Sequence, residues 1–86
     1  MGKLSDMPNI GQELEKKLVR AGIKSPEELR MEGSTSAFLK LVTIDTATCI
    51  NSLYALEGAI QGVRWHELDK SKKAELSQFF RMTQNK

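Results

Sequence analysis

Apolar residues recur along this chain at steps of three and four, and one stretch carries the pattern most strongly. Between Ala47 and Val63 the run ATCINSLYALEGAIQGV holds a single charge, Glu57, in a chain where charged residues are 28% of the total. Cys49, Leu53, Leu56, Ile60 and Val63 fall on one helical face. Ile50, Tyr54 and Ala55 put apolar surface on much of the remaining circumference, which is the pattern of a helix enclosed by others. The spacing predicts a central helix over Thr46–Gln61, capped by Asp45 or Thr46 and ended by Gly62. Gly58 gives up roughly 1 kcal/mol of helix propensity relative to Ala, and so predicts that a neighbouring helix crosses close at that point.

The flanking segments read as shorter helices. Leu4 and Met7 belong to a brief lead-in over Lys3–Met7, and Pro8-Asn9-Ile10-Gly11 is a tight turn by composition. Ile10, Leu14 and Leu18 step by four through an amphipathic helix over Gly11–Ala21, which Gly22 stops. Ile23 then turns back into the core. Ser25-Pro26-Glu27-Glu28 is a strong start signal, with Ser25 as cap, Pro26 at the first position and Glu28 completing a capping box. That helix runs over Pro26–Glu32 with Leu29 inward and Gly33 as its stop. Ser34 or Thr35 caps a third helix, about Ser36–Thr43. Trp65 and Leu68 are expected to close the core, Asp69 to cap a last helix over Lys70–Met82, and the tail Thr83–Lys86 to fray. Nothing alternates like a strand. The fold class is all-α: a compact bundle of about five helices in a single domain over residues 1–86, with Leu14, Leu18, Leu53, Leu56, Ile60 and Trp65 in its core.

Composition narrows the function classes. Eighty-six residues bury only about two-thirds of their unfolded surface, enough for one core. One cysteine excludes an internal disulfide framework and fits a reducing compartment. No apolar leader opens the chain and no window is long and apolar enough to span a bilayer, so the expectation is a cytoplasmic protein without membrane contact. Net charge is +2, too small to announce a nucleic-acid partner. Residues 1–33 balance six basic against six acidic side chains, whereas residues 64–86 hold six against three. A solvated helix face explains that C-terminal excess as well as a binding patch does.

One short motif points to chemistry. Met7-Pro8-Asn9-Ile10-Gly11 opening an amphipathic helix, followed by Ala21-Gly22-Ile23, resembles a helix-hairpin-helix element. Such turns aim backbone N–H groups at a nucleic-acid phosphate and add the dipole of the following helix. Here the donors would be Ile10, Gly11 and Gln12, with Lys16 one turn further on. Asn9 stands where a first glycine is usual; Asn tolerates left-handed φ better than most residues. The same variant turn occurs in the DNA-binding C-terminal domain of the RNA polymerase alpha subunit. Glu13 counts against the motif, because it would repel a phosphate at that helix start.

A longer likeness covers most of the chain. Leu4–Gly11, Ala21–Leu29, the run Leu53-Tyr54-Ala55-Leu56-Glu57-Gly58-Ala59-Ile60, then Gly62-Val63-Arg64-Trp65 and Leu68 resemble the C-terminal domain of the TfoX/Sxy competence-regulator family. The resemblance implies a five-helix bundle related to helix-hairpin-helix and SAM-like domains. It also implies a link to the regulation of natural transformation genes, in which fuller members act as transcriptional co-activators. The family's N-terminal domain has no counterpart within these residues, so its contribution is not carried over.

Catalytic chemistry has little to stand on. Asp45, Cys49 and His66 can be written as a nucleophile set, but Cys49 on the apolar face reads as an inert core thiol. His66 is the sole histidine and has no second ligand at metal spacing. Neither a metal, a cofactor nor a small-molecule substrate is expected. The reading is a non-enzymatic regulatory or adaptor domain, contacting the DNA backbone or a transcription-machinery protein. The alternative is a protein-interaction module of SAM-like type with no affinity for nucleic acid. Phe79, Phe80 and Met82 leave self-association open.

Overall fold

The computed structural model describes residues 2–84. After a 3₁₀ turn at Leu4–Asp6 come five α-helices: α1 (Gln12–Arg20), α2 (Pro26–Glu32), α3 (Ser34–Ile44), α4 (Ile50–Gln61) and α5 (Lys70–Gln84), with a second 3₁₀ turn at Trp65–Glu67 before α5. No strand occurs among the described residues, and the all-α bundle expected from the periodicity is the fold observed. The Cα radius of gyration, 11.9 Å, is what a close-packed chain of this length should have, about 12 Å.

Local chemistry sets most boundaries. Gly22 takes φ +93° and closes α1 with paired bonds from the Ile23 N–H to the Leu18 carbonyl (2.8 Å) and from the Gly22 N–H to the Val19 carbonyl (3.0 Å). These satisfy carbonyls the helix end would orphan, and they drive Ile23 into the core at 1% exposure. Ser25 Oγ accepts the Glu28 N–H at 3.1 Å, as a cap should. The Glu28 carboxylate reaches one residue further back than a capping box predicts, accepting the Lys24 N–H at 2.6 Å.

Two helix starts differ from expectation. Gly33, at φ +85°, both ends α2 and precedes α3. Ser34 is therefore the first helical residue and not a cap; its hydroxyl donates to Glu57 Oε1 at 2.6 Å, tying α3 to α4. Asp45 does not cap α4. Its carbonyl accepts the Thr48 N–H and hydroxyl, and its Oδ1 accepts the Ala47 N–H at 3.0 Å. Those bonds make a separate turn over residues 45–48, and α4 begins after Cys49.

The core gathers Leu4, Leu18, Ile23, Leu29, Phe38, Leu41, Leu53 and Leu56, all essentially without accessible surface. Of the residues expected there, Leu18, Leu53 and Leu56 are fully enclosed, while Leu14 and Ile60 pack against the cluster half-buried. Two expectations are corrected. Cys49 is exposed, because the 45–48 turn delays the helix and leaves the residue outside the apolar face. Trp65 keeps 38% of its surface exposed; Leu68, at 5%, fills that end of the core in its place. On α5 only Leu76 is buried, Phe80 meets Phe38 edge-on at 5.8 Å, and Met82 points outward. The tail expected to fray begins as helix, with Thr83 Oγ1 donating to the Phe80 carbonyl at 2.7 Å; Asn85 and Lys86 lie outside the described residues.

Candidate interaction surface

The Pro8–Gly11 turn and the loop Gly62–Glu67 are far apart in sequence and form one surface. Asn9 joins them. Its backbone takes φ +70°, the one left-handed non-glycine residue among those described. Its side chain donates from Nδ2 to the Val63 carbonyl at 2.9 Å and approaches the Ala55 carbonyl at 3.5 Å. Its Oδ1 accepts the Trp65 N–H at 3.0 Å. A glycine at this position would give the same φ and none of these bonds.

Gly58 completes the joint. A Cβ added there would lie 2.5 Å from Asn9 Nδ2, 2.8 Å from the Val63 carbonyl oxygen and 3.2 Å from Trp65 Cα. The close approach expected at Gly58 is real, but it comes from this returning loop and the Asn9 amide, not from a crossing helix. Gly62, left-handed at φ +79°, makes the return possible, and the Val63 N–H closes it on the Gly58 carbonyl at 2.9 Å.

Of the donors expected to face a phosphate, Ile10 is turned inward at 4% exposure, and its N–H reaches the Met7 carbonyl at 3.4 Å. Gly11, Gln12 and Lys16 are exposed, with Gly11 preceding α1 in extended conformation. Two acids share that first turn: Glu13 stands exposed, and Glu15 accepts the Ser5 N–H at 3.3 Å. Negative side chains complement the positive end of a helix dipole, so the helix start carries anions of its own.

Beside this joint, α1, α4 and the loop line a groove of about 450 Å³ whose walls include Asn9, Leu14, Ala55, Arg64, Trp65 and His66. The Trp65 ring stacks on Tyr54, with centroids 6.1 Å apart and planes within 8°. The Lys73 ammonium lies 5.7 Å from the Trp65 ring centroid and donates to the His66 carbonyl at 3.2 Å. Stacking and cation–π contact together hold this half-exposed indole in place. Lys17, at the groove's edge, donates to Asp45 Oδ2 at 2.7 Å. That bond, then the Ala47 N–H, holds the Asp45 carboxyl below its ordinary value.

Asp45 is thus bound into a structural turn, Cys49 is exposed before α4, and His66 lines the groove. No group of three or more His, Cys, Asp or Glu side chains placed to hold a metal occurs among the described residues. Nor is any helix among them long and apolar enough to cross a membrane.

Fold and surface together define a small helical-bundle domain with a groove beside its hairpin turn. The chain belongs to the TfoX C-terminal domain family, whose model matches residues 1–80. It is 32% identical over 77 residues to Protein Sxy of Escherichia coli strain K12, a match that takes in 90% of this chain and 37% of that protein. It therefore spans little more than a third of the length of that curated relative. Two crystal structures of Listeria monocytogenes proteins, one described as an uncharacterised protein in a triclinic form and one as a protein of unknown function in a tetragonal form, share the fold closely. The triclinic form gives TM-score 0.97 at 50% identity, covering 98% of this chain and 96% of the other. The tetragonal form gives 0.91 at 52%, covering 93% and 98%.

Proposed function

We propose that this chain is a non-enzymatic regulatory adaptor that works by contacting a protein partner. Kinship with the TfoX/Sxy competence regulators implies the control of natural transformation genes as its setting, and a protein of the transcription machinery as its partner. The observation that carries this reading is the use made of the hairpin turn. The Asn9 side chain is committed to the Val63 carbonyl and the Trp65 N–H, and Glu13 stands exposed in the first turn of the helix that would receive a phosphate. The turn holds the bundle together, and the surface beside it recognises a protein.

A second reading, direct contact with the DNA backbone, is favoured by the exposure of Gly11 at that turn and of Gln12 and Lys16 on the helix it opens. Anisotropy titrations with labelled duplex DNA at low salt separate the two. The adaptor reading expects no saturable binding at protein concentrations on the order of ten micromolar, or binding indifferent to Gly11→Asp. Tight binding that Gly11→Asp abolishes establishes the DNA reading and removes the first. Capture of transcription-machinery proteins from nuclease-treated lysate is the matching positive result.

A further inference from the structure

Resting on the adaptor reading, we propose that the groove lined by α1, α4 and the Arg64–His66 loop receives a linear peptide segment of the partner, one that pairs an acidic side chain with an apolar anchor. The acidic end lies at Arg64 and the apolar anchor against Trp65, Leu14 and Ala55. Four observations on the groove point to this occupant.

Arg64 is exposed and makes no ion pair among the described residues. Its neighbour in charge, Lys17, is already neutralised by Asp45 at 2.7 Å. Arg64 is therefore the groove's uncommitted cation, and guanidinium favours the planar, two-toothed geometry of a carboxylate.

Trp65 presents an indole fixed beforehand by Tyr54 on the stacking side and by Lys73 at the ring. A contact residue whose rotamer is set before binding loses little freedom when a partner arrives. Trp, Tyr and Arg are also the residue types that dominate the energy of protein–protein contacts. Here Arg64 and Trp65 are wall residues of one concavity, and Tyr54 stacks on the indole.

Asn51 and Ser52 line the same groove from the first turn of α4. Their amide and hydroxyl can bond the main chain of an extended segment, whose polar groups need partners once covered.

Glu13, an exposed α1 residue lining the same groove and without an ion pair among the described residues, rejects a polyanion along the groove's length. A nucleic-acid strand would meet that carboxylate, whereas a peptide can place an amide or a basic side chain there. Charge complementarity thus selects a peptide with its acid at one end over a phosphate backbone.

A random linear-peptide library displayed on phage, selected against the wild-type chain, tests this. Expected is enrichment of sequences that place Asp or Glu close to an aromatic or branched aliphatic residue. Synthetic copies of these should shift the emission of Trp65, the chain's sole tryptophan. Arg64→Glu, at an exposed position, should weaken those peptides by at least about tenfold while circular dichroism stays unchanged. Glu13→Gln should leave them bound. Enriched peptides that bind Arg64→Glu as well as wild type, or an enriched motif that is basic, overturn the groove assignment and leave the adaptor reading standing. Failure to enrich any sequence also overturns it, and the adaptor reading then rests on the nuclease-treated capture alone.

Discussion

Toward α3, helix α4 rests in a seat made by Phe38, Leu41, Leu53 and Leu56, none with accessible surface. Beyond its C-terminal end, the loop that leaves the same helix is gripped by one amide, that of Asn9, which packs on Gly58 across a gap too narrow for a methyl group. The seat is held by apolar area and is tolerant in geometry, since volume and patterning can be exchanged among similar residues. The grip depends on a few directed bonds and one missing side chain, so it fails discretely. The seat therefore sets how stable the domain is, and the grip sets where the candidate surface sits.

Breaking the seat should have the larger effect. Leu53→Ala removes a fully buried side chain and should destabilise the fold by about 2–5 kcal/mol, measured by denaturant unfolding with far-ultraviolet dichroism. A loss below about 1 kcal/mol would mean that the site collapses around the smaller residue.

The grip is tested by a pair of substitutions at Asn9. Asn9→Ala loses the bonds to Val63 and Trp65 and forces a Cβ-bearing residue without a polar side chain to hold φ +70°; the expected loss is about 2–3 kcal/mol. Asn9→Gly relieves the backbone and loses the same bonds, so it should retain about 1 kcal/mol of that. Equal losses would place the whole effect in the side-chain bonds. In both variants Trp65 emission should change in the native state, because the indole's loop has lost its tether. Leu53→Ala should leave native-state emission near wild type.

Gly58→Ala presses on the grip from the other side. The added methyl meets a backbone carbonyl at 2.8 Å as well as the Asn9 amide, an overpacking that should cost about 1–3 kcal/mol. The gain in helix propensity offsets roughly 1 kcal/mol of it. A net stabilisation in the unfolding curve would show that the loop can move away freely.

Ser25→Ala lies outside both regions and calibrates them. Loss of the 3.1 Å cap bond should cost about 1 kcal/mol with Trp65 emission unaltered.

The α4 side of the seat was legible in the sequence because burial on a helix leaves a period: Leu53 and Leu56 announce themselves by spacing alone, as Leu18 does on α1. The helix stops at Gly22, Gly33 and Gly62 were legible too, since each needs a positive φ. The grip was legible only in part. Asn9 signalled a left-handed turn, but no local pattern reveals that its amide bonds residues 54 and 56 positions later. Gly58 signalled a close approach without naming what approaches. Trp65 was misjudged because aromatic size suggests burial, while the loop that Asn9 tethers holds the ring half outside. Cys49 was misplaced for a different reason: the helix expected from Thr46 onward begins only at Ile50, because Asp45 uses its own main chain and carboxylate to make a separate turn over 45–48. Arg64 carried no signal beyond its charge, and its importance emerges only from the groove.

The smallest effect belongs to a link running along the groove's edge, from α1 to the turn before α4. Asp45 is held below its ordinary value of 3.8 by the Lys17 ammonium first and the Ala47 N–H second. A carboxylate with a lowered folded-state pKa binds fewer protons folded than unfolded, so its contribution is complete above the unfolded value. That contribution is lost as pH falls through the folded value. Between neutrality and pH of about 5, unfolding midpoints should stay flat with respect to this group; below about 4 the wild type should lose stability faster than Asp45→Asn, which has already forfeited the link. The pair is substantially exposed, at 38% and 34% of the two side chains, so added salt should shrink the difference between the curves. Parallel acid titrations of the two proteins would show the link to be immaterial; curves that converge only on acidification assign it to this ion pair. Because Lys17 and Trp65 border the same groove, convergence without a change in Trp65 emission would also place the link outside the grip, as an independent brace on α1.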